Sequence, residues 1–275
     1  NMENQNHEEH GIQIFESTGI EVFEAQERAA IDTQIATAKK FPRDLMRVKN
    51  NSIAIVSMDI ETAQSCRYAK PVAGSKITGP SVHLARIICQ QYGNIRVQQR
   101  IKQISRTEIV AEAVAFDLET NYAVSVEARR NIIGKNGQRF ADSVVETNAM
   151  ATLAIAERNA ILKVVPKALT DAVYKAAFNF ANGDLSDDQK ILAARKKMLD
   201  FFSEKYDAKE GDILRLLGLR SVGQIKAEQI ADLRGFAQAL KDGELNANEL
   251  FKNKVEENPQ AIKVETLKPQ EGKLL

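Results

Sequence analysis

Between Thr147 and Val165 the chain is apolar nearly all the way round a helix: Ala149, Met150, Ala151, Leu153, Ala154, Ile155, Ala156, Ala160, Ile161, Leu162, Val164 and Val165. A helix without a polar face is buried on most sides, so the rest of the chain must supply a surface to cover it. The stretch upstream has the period to do so. Asn94–Lys102 alternates Arg96, Gln98, Arg100 and Lys102 with Ile95, Val97 and Ile101. Glu108–Asp117 sets Ile109 and three alanines against Val110, Glu112, Val114 and Phe116, and Tyr122–Arg130 carries Tyr122, Val124 and Val126 on one side. Alternation of period two marks half-buried strands, and the short polar connections Ser105-Arg106-Thr107 and Glu119-Thr120-Asn121 suit hairpins. The expectation is an α+β fold: a three-stranded antiparallel β-meander followed by a long buried helix (β-β-β-α), flanked by helices. Lys135-Asn136-Gly137 is a turn signal that would extend the third strand into another hairpin.

Helical spacing runs from Glu21 to Lys40 and ends at Phe41-Pro42, because the residue before proline is pushed out of the α region. Leu45, Val48, Ile53 and Val56 mark a second helix, and Asp59 caps a short one through Cys66. Lys70–Ser81, rich in glycine and proline, reads as a loop, with Pro80 in the first turn of a helix closed by Gly93. After Pro166 a helix reaches Phe180, with Gly183 as its C-cap. Helices expected near 187–206, 209–217 and 226–241 make a small all-α C-terminal module ending near Phe251. The predicted division is a flexible acidic tail (1–20), an α+β core that carries binding (21–183), a helical interaction module (184–251) and a disordered tail (252–275).

Lys plus Arg total 38 and Asp plus Glu 37, a net charge of +1 that conceals strong segregation. Residues 1–41 carry eight acids (Glu3, Glu8, Glu9, Glu16, Glu21, Glu24, Glu27, Asp32) against Arg28, Lys39 and Lys40. Residues 62–107 carry Arg67, Lys70, Lys76, Arg86, Arg96, Arg100, Lys102 and Arg106 with no acid at all. Such a run faces an anion, or is compensated in space by acids from elsewhere. With no tryptophan and only 6% aromatic residues, a binding surface here relies on charge more than on stacking.

Several chemistries are poorly supplied. Cys66 and Cys89 make neither a disulfide scaffold nor a four-thiolate zinc site, and of the three histidines His7 and His10 lie in the tail. His83 reads as a partly buried histidine rather than a ligand or base. Gly74-Ser-Lys-Ile-Thr-Gly79 has the spacing of a phosphate loop, but Pro80 stands where the lysine must be, so an ATPase is not expected. A helix N-terminus near Thr78–Val82, flanked by Lys70 and Lys76, either holds one phosphate or is only a turn. A metal-dependent nuclease is the enzymatic alternative. Glu108, Glu112 and Glu127 can approach across strands and Asp117 and Glu119 lie at a hairpin, but Glu127 is followed by Ala-Arg rather than x-Lys. No apolar run approaches the ~18 residues of a membrane span, and the acidic start is unlike a signal peptide, so a cytoplasmic chain is expected.

The arrangement that stands out is cationic. Arg96, Arg100 and Lys102 share one strand face, Arg129 and Arg130 end the third strand, and Arg106, Lys135 and Arg139 sit in adjoining turns. Cations about 7 Å apart along a strand approximate the phosphate spacing of an extended nucleic-acid strand.

With this order of elements, Cys66-Arg-Tyr-Ala-Lys-Pro71, Gly79-Pro-Ser-Val-His-Leu-Ala-Arg86 and Tyr92-Gly-Asn-Ile-Arg96 resemble the phage single-strand annealing proteins. These are the RecT/Redβ and Erf proteins, which share their core with the eukaryotic annealing mediator. Leu233-Arg-Gly235, Lys241-Asp-Gly-Glu244 and Glu249-Leu-Phe251 are similar to helical tails of phage recombination proteins. The resemblance implies a non-enzymatic protein of the infected bacterial cytoplasm that needs no cofactor. It would assemble into homo-oligomeric rings or filaments and anneal complementary single-stranded DNA into duplex in a basic groove. Carried over, that groove comprises Lys70, Lys76, Arg86, Arg96, Arg100 and Lys102, with Arg106, Arg129, Arg130, Lys135 and Arg139 beside it. Low aromatic content departs from base stacking. Five to eight cations on phosphates would give a log–log salt slope of roughly −3 to −6. The slightly acidic 184–251 module is expected to bind a single-strand-binding protein or a phage exonuclease, or else to pack back on the core. A protein truncated after Gly183 is expected to bind and anneal bare single strands still, but to fail on strands coated with the single-strand-binding protein. A replication or virion adaptor is the remaining alternative.

Overall fold

A computed structural model of the chain describes residues 24–72, 75–134, 137–183, 185 and 187–251. The tails expected over 1–20 and 252–275, and the Lys135-Asn136 turn, lie outside the described residues. The fold is α+β, with two small antiparallel sheets set among helices. Helix α1 covers 24–40. Helices α2 (Leu45–Val56) and α3 (Ile60–Ser65) each start at an aspartate. Asp44 accepts from the amides of Met46 and Arg47, and Asp59 accepts from that of Thr62. Each cap satisfies an amide with no partner inside the helix, worth about 1 kcal/mol.

The segment from 67 to 81 departs from the loop its composition suggests. It is a hairpin of β1 (Arg67–Val72) and β2 (Ser75–Pro80), with Pro80 paired opposite Arg67. Helix α4 (Val82–Tyr92) is therefore capped by Ser81 rather than begun by Pro80. In a two-stranded sheet both strands are edges, so the missing N–H of Pro71 and Pro80 need not break the ladder. Ser81 is wholly buried, and its hydroxyl donates to the Ser65 carbonyl at 2.6 Å while accepting from the Leu84 amide.

The second sheet has the order β3 (Ile95–Ile104), β4 (Glu108–Asp117), β5 (Tyr122–Asn131), all antiparallel. Past β5 the described residues double back: Ile133 bridges Arg139, the Phe140 amide donates to the Ile132 carbonyl and the Gly134 amide to the Gln138 carbonyl, a short antiparallel ladder outside the named strands. Helix α5 (Asp142–Val164) begins before the expected Thr147 and lies on the sheet, where Ala111, Ala113, Ala115 and Ala128 meet Ala156, Ala160 and Val164. Methyl-sized side chains on both surfaces let the backbones approach closely. On its other side α5 joins α2, α4 and α6 (Lys167–Gly183) around Val48, Val56, Leu84, Ile88, Ile161, Val165 and Val173.

The C-terminal helices are α7 (Asp188–Tyr206), α8 (Glu210–Leu217), α9 (Ala227–Lys241) and α10 (Ala247–Phe251). Their core of Phe202, Ile213, Ile225, Ile230, Leu233, Phe236 and Phe251 also contains Ala69 from β1. Gly235 of α9 is what allows the contact: a Cβ there would stand 2.9 Å from the Ala69 Cβ and 3.1 Å from its nitrogen. Charge reinforces the same seam. Asp232, wholly buried, accepts from Arg67 at 2.9 Å and from Lys76. Arg158 pairs with Glu244 at 2.6 Å and lies over the Tyr68 ring, while Arg130 donates to the carbonyls of Gly243 and Glu244. The helical segment is thus packed onto the hairpin and α5. Among the described residues, no helix is long and apolar enough to cross a membrane.

Candidate nucleic-acid interface

Alternation along β3–β5 splits the sheet into two faces. Ile95, Val97, Ile101, Val124 and Val126 turn toward α5 with the alanines. The opposite face is set by the register: Arg96 pairs with Phe116 and that with Ala123, then come Gln98–Val114–Ser125 and Arg100–Glu112–Glu127. A bulge between Ile101 and Gln103 holds Lys102 as the extra residue. Beyond it Val110 pairs with Arg129, and Arg106 sits exposed in the adjoining β3–β4 turn. Arg100, Lys102, Arg106 and Arg129 are therefore gathered at one end of this face.

The apparent absence of acids in 62–107 does not survive folding. Arg100 pairs with Glu112 at 2.8 Å, Lys102 with Glu127 at 2.5 Å, and Arg129 with Glu127 at 3.5 Å and Glu108 at 3.7 Å. Antiparallel pairing carries β4 and β5, which do bear acids, directly across from the basic strand. The carboxyls respond. The hydrogen bond from Arg100, then that from Ser125, holds Glu112 below its ordinary value, and Lys102 does the same to Glu127. Glu127 in turn pushes Lys102 up. The cationic side of each pair is solvated, with Arg100, Lys102 and Arg129 72%, 48% and 64% exposed, while Glu112 is the most covered of the acids at 14%. Ion pairs of this kind contribute about 0–1 kcal/mol, so a phosphate can replace the carboxylate at little cost.

The other expected groove residues are dispersed. Lys76 is spent on Asp232, and Arg86 makes a two-point contact with Glu157 of α5 at 2.6 and 3.0 Å. Arg130 points the other way, to carbonyls after α9, and Arg139 pairs with Asp142 at the start of α5. Arg96 donates to Glu27 at 2.8 Å and to Gln34 at 3.3 Å, both on α1. Lys70 is exposed on the hairpin, and Lys135 lies outside the described residues. The expected phosphate position at the start of α4 is also committed internally, since Ser81 caps it and Lys76 is turned to α9.

The acids weighed for a nuclease are likewise engaged. Glu112 and Glu127 stand opposite each other but are held by Arg100, Ser125 and Lys102. At the far end of the sheet Asp117 takes both terminal nitrogens of buried Arg43 at 2.6 Å, and Glu119 lies 3.0 Å from its Nε. Arg43 also stacks on Tyr92 at 3.7 Å. Among the described residues, no group of three or more His, Cys, Asp or Glu side chains is placed to hold a metal ion. The thiols are inert as nucleophiles: burial pushes Cys66 up to about 12 and Cys89 up to about 11. His83 meets Asp242 at 2.9 Å.

Sequence reasoning overlooked what covers the Arg96 end. The signal was present in Glu27 and Gln34, two turns apart on one face of a helix. Comparison with known proteins finds no family model that matches the chain, no similar curated protein and no similar solved structure.

Proposed function

We propose that the chain binds single-stranded DNA along the solvent face of the β3–β4–β5 meander and anneals complementary strands there without ATP. The observation that carries this is the convergence of Arg100, Lys102, Arg106 and Arg129 on one sheet end, where the three ion-paired cations keep solvated side chains. A three-stranded meander backed by one long helix, the β-β-β-α order of the annealing proteins that the sequence resembles, supports the same reading. Assembly of copies into a ring or filament, and action in phage recombination inside a bacterial host, belong to this proposal. The carboxylates of Glu112 and Glu127, neutralised by cations, argue against the nuclease alternative.

The test is binding of a labelled oligothymidine over a salt series. Four cations on phosphates predict a log–log slope of about −3, since each contact with a single strand contributes roughly −0.7. Replacing Arg100, Lys102 and Arg129 together by alanine should cut the slope by about 2 and slow annealing of complementary oligonucleotides, with unchanged circular dichroism. A flat salt response, or cleavage of the strand on adding Mg²⁺, overturns the proposal.

A further inference from the structure

Arg96 opens the cationic row of β3, yet it is the one member closed over by another element. Its two terminal nitrogens donate to Glu27 and Gln34 of α1, while its Nε is buried with no acceptor. A buried N–H without a partner costs about 1–3 kcal/mol, so the guanidinium is incompletely served by the helix that covers it. We propose that α1 is a displaceable strap, in which the Glu27 carboxylate occupies the place of a nucleic-acid phosphate on Arg96. The inference rests on the reading of the sheet face given above.

Two further observations make the strap releasable. Only residues 27, 31, 35 and 38 of α1 are even partly buried, one position per turn, and Ala38 alone is fully so. A contact that narrow removes little apolar surface from water, so lifting the helix costs little hydrophobic energy. Its charge is balanced overall, Glu24, Glu27 and Asp32 against Arg28, Lys39 and Lys40, so it is the single Glu27 carboxylate on Arg96, not the helix as a whole, that has the sign of the ligand it mimics. A phosphate brings several acceptor oxygens to Arg96, enough to take the donors that Glu27 and Gln34 hold and to reach Nε as well. Binding would then extend the interface from the Arg100 end along β3 and expel α1.

Three single substitutions on α1 separate a strap from a structural cover. Glu27→Gln keeps the shape and removes the competing carboxylate; Gln34→Glu adds a second one. Asp32→Asn removes an exposed acid that does not touch Arg96 and so controls for net charge. With oligothymidine at low salt, E27Q should bind about 2- to 5-fold tighter with a slope steeper by about 0.7, and Q34E correspondingly weaker. D32N should stay within about 1.5-fold of the parent. In the unsubstituted chain, amide hydrogen exchange across 24–37 should quicken when the oligonucleotide is added. Parent-like binding by E27Q, an equal gain in D32N, or stronger protection of 24–37 on binding overturns the strap while leaving the nucleic-acid reading intact. Failure of both the parent and E27Q to bind overturns that reading and the strap with it.

Discussion

Gly235→Ala is a substitution for which local propensity and tertiary packing disagree in sign. Within a helix, alanine is about 1 kcal/mol more favourable than glycine, so the change alone should stabilise α9. The structure opposes it. The new methyl would stand 2.9 Å from the Ala69 Cβ, 3.1 Å from the Ala69 nitrogen and 3.2 Å from the Tyr68 carbonyl carbon. Two of those atoms are backbone of β1 and cannot rotate away, so α9 must move off the hairpin. That movement loosens Leu233 and Phe236 and stretches the pairing of Asp232 with Arg67. Overpacking of this kind costs roughly 1–3 kcal/mol, and contact with rigid backbone belongs at the upper end. Subtracting the propensity gain leaves a net loss of about 2 kcal/mol. Urea unfolding followed by far-UV circular dichroism should show a lower midpoint with an unchanged m-value. Gly211→Ala in α8 is the control, because a Cβ there meets nothing within 4 Å; it should raise stability by about 0.4–1 kcal/mol. A midpoint for G235A equal to or above that of the parent would refute the close approach of α9 to β1.

Asp232→Ala leaves Arg67 and Lys76 without their buried carboxylate and should cost about 3–5 kcal/mol, read as a fall in the denaturation midpoint or in soluble yield. Truncation after Gly183 removes Asp232, Glu244 and the cover of Ala69 together, so the shortened chain should fail to give a sharp unfolding transition, which near-UV circular dichroism would report. Burial opposes ionisation of Asp117, but hydrogen bonds from Arg43 and the Glu119 amide, with the charge of Arg43, outweigh it and hold the carboxyl below its usual range. A depressed native value means that this stability is present at neutral pH and is lost as pH falls below about 4; Arg43→Met should lower neutral stability and flatten that acid dependence.

The helices were readable because their ends are local events. Asp44 and Asp59 cap amides two or three residues away, and Pro42 and Pro166 stop helices by sterics that need no neighbour. The faces of β3, β4 and β5 were readable for a related reason, since a sheet packed on one side selects apolar residues at every second position. The hairpin of β1 and β2 was hidden. Gly79 and the prolines weaken it as an isolated unit, and it exists because α9 covers Ala69 and ties down Arg67 and Lys76.

The candidate site divides along the same line. Sequence parity sets Arg96, Arg100 and Lys102 on one side of a strand, because side chains alternate with period two whatever the surroundings. Which of these cations face an acid is decided by partners that no local rule connects. Glu112 comes opposite Arg100 through the β3–β4 register, Glu27 reaches Arg96 from α1, and Asp232 meets Arg67 across a separation of 165 residues. The sequence by itself determined where charge is placed along the chain and on which face of each element. Only the tertiary structure decided which charges are neutralised, because ion pairing depends on distances of 3–4 Å that are set when the elements pack.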